Sequence, residues 1–255
     1  LLYPKIRLFN LSNFIFKDFL QRIAIRFRAG IFTNITERLN TYNKILTYSL
    51  FGWKWIKKYW NMNATVIAPP VDLLYKKYKV NRYKKNNWIC SVGRFFTLGH
   101  GKKQEILIES FKKLYDKTKK HWELHLVGGL GDEPTSISFF QHLKQISKGY
   151  PIFFHLNASR DEVEEIYLKS KIYWHATGFG EDESHQPVRF EHFGISPIEA
   201  ISAKCVPILF KGGGLTEIIN TVGLNKNKNL FSNIEELVNN TIYFQNPKNL
   251  NLVWK

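Results

Sequence analysis

Cysteine is nearly absent: Cys90 and Cys205 are the only two in 255 residues. Two cysteines make no disulfide framework, and a reducing, cytoplasmic compartment is the easier expectation. Each falls in an apolar run that reads as a strand. No run of about 18 or more uncharged apolar residues occurs, so no transmembrane helix is expected. No Gly-x-Gly-x-x-Gly follows the first strand of the regular part of the chain, and no Gly-x-x-x-x-Gly-Lys-Ser/Thr exists. That argues against a dinucleotide dehydrogenase or a P-loop enzyme. His175, His185 and His192 lack the spacing of zinc motifs, so they read as loop or strand-end histidines, and no metal is expected. The start, Leu1-Leu2-Tyr3-Pro4-Lys5, has neither an initiator Met nor a signal-peptide layout, which reads as a fragment.

What is present is apolar and basic. With 44% hydrophobic and 15% aromatic residues, the chain can build one large or two small cores. The formal net charge is +16. Such a charge attracts anions: nucleotide phosphates, an anionic membrane face or nucleic acid. It also has a bland reading, because the lysines are spread along the chain rather than clustered. No nucleic-acid recognition motif accompanies the charge, so no nucleic-acid partner is expected.

Along the chain, Phe14 to Phe27 mixes apolar residues with Arg22 and Arg26. It reads as an amphipathic helix packed on a domain or lying on an anionic membrane. Lys44 to Ser49 reads as a strand, Leu50 to Trp60 as a helix and Ala64 to Ala68 as a strand. Pro69-Pro70-Val71-Asp72 can continue neither a ladder nor a helix, so a domain boundary is placed there. The expected division is residues 1–68 as the tail of a first domain, 69–87 as joint and linker, and 88–255 as a second domain.

Beyond residue 88 short apolar strands alternate with amphipathic helices. Strands are expected at Trp88 to Val92, Trp122 to Val127, Ile152 to Leu156, Ile172 to His175 and Cys205 to Phe210. Helices are expected after each, the third opened by a capping box at Ser159 to Glu162 and the fifth over Leu215 to Asn220, and a further, last helix is capped at Ser232 to Glu235. This is the pattern of an α/β fold with a doubly wound parallel sheet, whose ligand binds at the carboxyl ends of the strands. Gly93-Arg94, Gly128-Gly129, His175, Glu191 and the loop Gly212-Gly213-Gly214 all fall at those ends.

The stretch Glu191-His192-Phe193-Gly194-Ile195-Ser196-Pro197-Ile198-Glu199 places two carboxylates eight positions apart around a helix start. Ser196 suits the N-cap and Pro197 the first helical position. Helix starts present free N–H groups to anions. Glu199 reads two ways: as a capping-box partner of Ser196, or as a carboxylate accepting from two ribose hydroxyls. Glu191 has no competing local role. Arg94 offers a planar fork to phosphate oxygens, and Lys102 a point charge.

Together these elements resemble the retaining nucleotide-sugar glycosyltransferases of family four, also called glycosyl transferases group 1, which have the GT-B fold. Glu191 to Glu199, continued by Ala200 and Ala203-Lys204-Cys205-Val206-Pro207-Ile208, resembles the family's E-x7-E element. Lys204 or Cys205 stands where glycine is usual. Ser91-Val92-Gly93-Arg94 with Lys102 resembles its phosphate-binding element, Pro69-Pro70-Val71-Asp72 its interdomain joint. Leu126-Val127-Gly128-Gly129 and Gly213-Gly214-Leu215-Thr216-Glu217 stand in family order.

The resemblance implies that Arg94 and Lys102, with Lys103 as alternative, bind the donor pyrophosphate. Glu199 would hold ribose and Glu191 the donor sugar. The N–H groups of Gly194, Ile195 and Ser196 would face sugar or phosphate. Gly93, Gly128, Gly213 and Gly214 would line the donor site, with Asn157 and His155 nearer the base. It implies retention of configuration, no cofactor, and a glycan or lipid-linked acceptor. GDP-mannose is slightly favoured as donor, because the Pro-Pro-Val-Asp and Gly-Arg-Phe-Phe elements resemble members that elongate lipid-linked mannose chains. The alternative is a non-catalytic module that binds nucleotide-sugar or an anionic membrane surface.

Overall fold

The computed structural model describes residues 39–96, 101–118 and 122–253. The expected helix between Phe14 and Phe27 lies outside them. Among the described residues no helix is long and apolar enough to cross a membrane.

The described chain opens with two short parallel strands, β1 (Leu46–Thr47) and β2 (Thr65–Val66), joined through helix α1 (Leu50–Trp60). Helix α1 begins where Ser49 accepts from the Gly52 N–H at 3.0 Å. It ends at Asn61, in a left-handed conformation that lets its N–H close on the Lys57 carbonyl. The "linker" that follows is partly structured, with α2 (Leu74–Lys77) and a 3-10 turn (Val80–Arg82).

The remainder alternates strand and helix: β3 (Asn86–Val92), α3 (Gln104–Lys117), β4 (Glu123–Gly128), α4 (Pro134–Ile146), β5 (Ile152–Leu156), α5 (Arg160–Lys169), β6 (Ser170–His175), α6 (Ile195–Ser202), β7 (Val206–Phe210), α7 (Gly213–Thr221), α8 (Lys226–Asn229), β8 (Leu230–Phe231), α9 (Ile234–Tyr243) and α10 (Pro247–Leu252). The six strands β3 to β8 form one sheet in the order β5-β4-β3-β6-β7-β8, all neighbours parallel. The chain therefore builds outward from β3 to β5, then crosses back to the other side of β3. That reversal opens a crevice beyond the carboxyl ends of β3 and β6.

The expected doubly wound sheet is thus present, and its central strands are apolar because helices cover both faces. Ile89, Cys90, Leu124, Ile172, Tyr173, Trp174, Val206 and Ile208 are fully or almost fully buried. On α3 the apolar stripe Leu107, Ile108, Phe111 and Leu114 faces the sheet. The capping box at α5 is present: the Ser159 hydroxyl accepts from the Glu162 N–H, and the Glu162 carboxylate accepts from the Ser159 N–H at 2.7 Å.

Several local expectations are corrected. Cys205 precedes β7 rather than lying in it. The last capping box is shifted: Asn233 caps α9, while Glu236 accepts from the Ser232 N–H. Gly213 and Gly214 are the first turn of α7, not a loop. Lys204, with φ of 61°, is the residue in the position where the related pattern has glycine. A side chain there costs about 1–2 kcal/mol against glycine.

The first segment is tied to the sheet domain by two carboxylates, Glu183, which receives Lys54 Nζ at 3.0 Å, and Glu217. Glu217, on α7, accepts from the Leu50 N–H at 2.9 Å and from the Phe51 N–H. Phe51 packs beside it against Phe190 and His192. A carboxylate at a helix N-terminus meets both the unpaired N–H groups and the positive end of the helix dipole.

Candidate donor site at the strand switch point

The crevice is bounded by the end of β3, the end of β6, the loop 176–193 and the N-terminal turn of α6. Gly93 follows β3, and its N–H bonds the Val127 carbonyl at 2.9 Å. A Cβ on Gly128 would sit 2.1 Å from the Gly93 carbonyl oxygen, so only glycine lets these two strand ends pass. A Cβ on Gly93 would sit 2.6 Å from Lys102 Cγ. The bare backbone at Gly93 is what lets the Lys102 stem cross the mouth of β3. Gln104 secures the same turn, donating to the Arg94 carbonyl at 3.0 Å.

Lys102 ends on Glu191, Nζ to Oε2 at 2.6 Å. The same oxygen lies 3.1 Å from His175 Nε2 at the end of β6. The other nitrogen of His175 is 3.1 Å from the Tyr173 hydroxyl. That hydroxyl is 2.9 Å from Ser196 Oγ, which donates to the Val92 carbonyl at 3.3 Å. A continuous polar chain therefore runs from the β3 end through Glu191 and β6 to the start of α6.

Burial alone would raise the Glu191 carboxyl. The His175 hydrogen bond and the Lys102 charge outweigh it and hold the carboxyl well below the usual carboxylate range. Burial pushes His175 below its ordinary value, with Lys102 acting in the same direction and Glu191 against it. His175 is therefore neutral near pH 7, and the compensating charge on Glu191 comes from Lys102.

Ser196 is not the N-cap. Helix α6 starts two residues earlier, capped by Gly194 in a left-handed conformation, φ 93°. Pro197 consequently falls at the third helical position. The reason is tertiary: Tyr173 and Val92 occupy the Ser196 hydroxyl. The capping-box role of Glu199 fails with it. Glu199 instead receives Arg160 Nη1 at 2.6 Å and the Tyr167 hydroxyl at 3.3 Å. The first N–H groups of α6, on Ile195 and Ser196, still lead the helix into the crevice.

The other candidates separate by role. Arg94 is exposed at the mouth, its guanidinium 4.8 Å from the Phe96 ring centre. Lys103 turns away to Glu181 at 2.6 Å, so Lys102 is the lysine that meets Glu191. Gly213 and Gly214 let α7 pack on the chain at Glu191 and His192. The Gly214 N–H bonds the Glu191 carbonyl at 2.7 Å. Asn157 braces the β4 turn, its N–H on the Gly128 carbonyl at 2.9 Å and its Oδ1 accepting from Leu130 at 3.0 Å. His155 is taken up by His125, 3.0 Å away.

Tyr173, Gln104, Glu181 and Arg160 join the candidates through their contacts, and His175, expected at a ligand-facing strand end, meets Glu191 there. Tyr173 and His175 carry a visible signal, two polar-tipped residues on one face at the end of a buried strand. Arg160 carries another: a cation in the first turn of a helix, where the dipole disfavours it.

Residues 76–244 match the sequence pattern of the glycosyl transferases group 1. The chain belongs to that family. Among solved structures, a point mutant of S. aureus TarM in complex with fondaparinux, α-GlcNAc-glycerol and UDP superposes with a TM-score of 0.61 at 14% identity, over 85% of this chain and 40% of that one. Anabaena HepE, in complex with UDP and glucose, gives 0.59 at 15% identity, over 82% and 55%. The pneumococcal O-GlcNAc transferase GtfA, in complex with UDP and GlcNAc, gives 0.57 at 12% identity, over 86% and 41%. No curated protein sequence matches significantly. The fold is the Rossmann-like half of a GT-B glycosyltransferase, and the chain spans about half or less of the length of these three structures.

Proposed function

We propose that the chain binds a nucleoside diphosphate-sugar beyond the carboxyl ends of β3 and β6. There it takes part in transferring the sugar, with retention of configuration, to a hydroxyl of a glycan or lipid-linked acceptor. The observation that carries this reading is the Lys102–Glu191–His175 cluster at the switch point, beside the N-terminal turn of α6. Lys102, the exposed Arg94 and the leading N–H groups of α6 supply positive potential to a departing diphosphate. Donors fixed before reaction stabilise developing charge without reorganising. Glu191 lies within reach of the same lysine, placed to accept from a donor-sugar hydroxyl. Glu199, further along α6, faces the ribose.

The Pro-Pro-Val-Asp and Gly-Arg-Phe-Phe elements support GDP-mannose as donor, while UDP in the TarM, HepE and GtfA structures supports a uridine nucleotide. Calorimetric titration with UDP-sugars and GDP-mannose decides between them. Arg94→Ala and Glu199→Ala should each weaken donor binding about tenfold or more, the worth of a hydrogen bond to a charged group. The reading fails if no donor binds, or if both variants bind as tightly as the parent.

A further inference from the structure

Arg160 bridges two carboxylates that its surroundings largely bury. Its Nη1 donates to Glu199 Oε1 at 2.6 Å and its Nε to Glu164 Oε1 at 2.9 Å. The side chains of Glu199 and Glu164 are 10% and 5% exposed, that of Arg160 44%. Glu164 is held in turn by Lys77 at 2.6 Å and the Tyr78 hydroxyl at 2.7 Å, both from the segment ahead of β3. The network therefore anchors α5 to that segment and presents one guanidinium edge to Glu199.

Stability does not explain this arrangement. Arg160 stands in the first turn of α5, where the helix dipole repels a cation. Burying carboxylates costs desolvation, and well-packed apolar residues in such places are often at least as stable. What the network gives is orientation. A carboxylate has about four acceptor positions, two on each oxygen. Arg160 takes one on Oε1 and Tyr167, at 3.3 Å, one on Oε2. One position on each oxygen is left, the number two adjacent hydroxyls require.

We propose that Arg160 is a positioning residue for ribose recognition, fixing Glu199 so that its two remaining acceptor positions meet the vicinal hydroxyls of a nucleoside diphosphate. The proposal rests on the donor-site reading above. It adds that ribose selectivity resides in a pair from two helices, α5 and α6, rather than in Glu199 alone.

The test is a ligand-by-variant comparison by calorimetry. UDP and 2′,3′-dideoxy-UDP, with GDP and its dideoxy analogue in parallel, are titrated into the parent, Arg160→Ala, Arg160→Lys and Glu199→Ala. The parent should prefer the ribose form by about tenfold or more, as expected for lost hydrogen bonds to a charged acceptor. Arg160→Ala should lose most of that preference while its affinity for the dideoxy nucleotide stays at the parent value. Arg160→Lys, which keeps the charge but not the two-way fork, should fall between. Should Arg160→Ala fail to fold, Arg160→Lys carries the same comparison. An Arg160 variant that keeps the full ribose preference, or that weakens both nucleotides equally, overturns the proposal alone. A parent that binds neither nucleotide overturns the donor-site reading and this proposal with it.

Discussion

Replacing Lys102 by methionine removes a charge while keeping most of the stem that lies across Gly93. It leaves Glu191, 15% exposed, with the His175 hydrogen bond at 3.1 Å as its remaining support. Removing one partner of a buried ion pair costs about 3–5 kcal/mol. Partial exposure and the surviving His175 contact reduce this, so Lys102→Met should destabilise by about 2 kcal/mol at pH 7. The defect should depend on pH. In the parent the Glu191 carboxyl sits below its unfolded value. Its contribution is therefore present above about pH 4.3, and is lost as the pH falls through the lower folded value. Without Lys102 the folded carboxyl rises relative to the parent, so ionised Glu191 contributes less stability near neutrality. The gap between parent and variant is then widest near pH 7 and narrows as the pH falls through the carboxylate range. Urea unfolding at pH 7 and pH 4 measures it, and Lys102→Met with Glu191→Gln closes a double-mutant cycle. A Lys102→Met defect that is the same at both pH values, or a cycle with no coupling, would refute this account of Glu191.

Other expectations follow from single contacts. Gly128→Ala would put a Cβ 2.1 Å from the Gly93 carbonyl oxygen, a backbone atom that cannot swing aside. It should cost about 3 kcal/mol, seen as a lowered urea midpoint, and a near-neutral effect would mean the strand ends are not so close. Glu217→Ala strips the acceptor from two leading N–H groups of α1. It should cost about 1–2 kcal/mol and speed amide exchange in Leu50–Trp60 more than in the sheet. Burial, aided by the His155 ring, lowers His125 from 6.5 to about 4. The unfolded chain therefore takes up that proton first as the pH falls. About 2 kcal/mol of stability should disappear between pH 6.5 and pH 4, after allowance for the opposing Glu123 carboxylate at 3.2 Å. His125→Gln should flatten that part of the stability profile.

The sheet was legible because its signals are local. Apolar runs such as Ile152 to Leu156, and the Ser159–Glu162 box, specify their conformation within a few residues. The loop carrying Glu191 was legible as a candidate site because no neighbour in sequence could occupy its carboxylate. What failed did so through long-range competition. Ser196 has the chemistry of a cap, but Tyr173, 23 positions away, and Val92, 104 positions away, claim its hydroxyl first. Glu199 meets Arg160 across 39 positions, a pairing that only the packing of α5 on α6 creates. The choice between Lys102 and Lys103 likewise waited on backbone geometry. Lys103 takes a left-handed turn, φ 55°, at the start of α3, and its side chain goes to Glu181.

The central claim is that a nucleoside diphosphate sits beyond the ends of β3 and β6. A crystal structure of the chain grown with UDP or GDP tests it most directly. The account predicts diphosphate density between Arg94, Lys102 and the first N–H groups of α6, with the ribose against Glu199. Nucleotide density elsewhere on the chain, with the Lys102–Glu191 pair untouched, would contradict it.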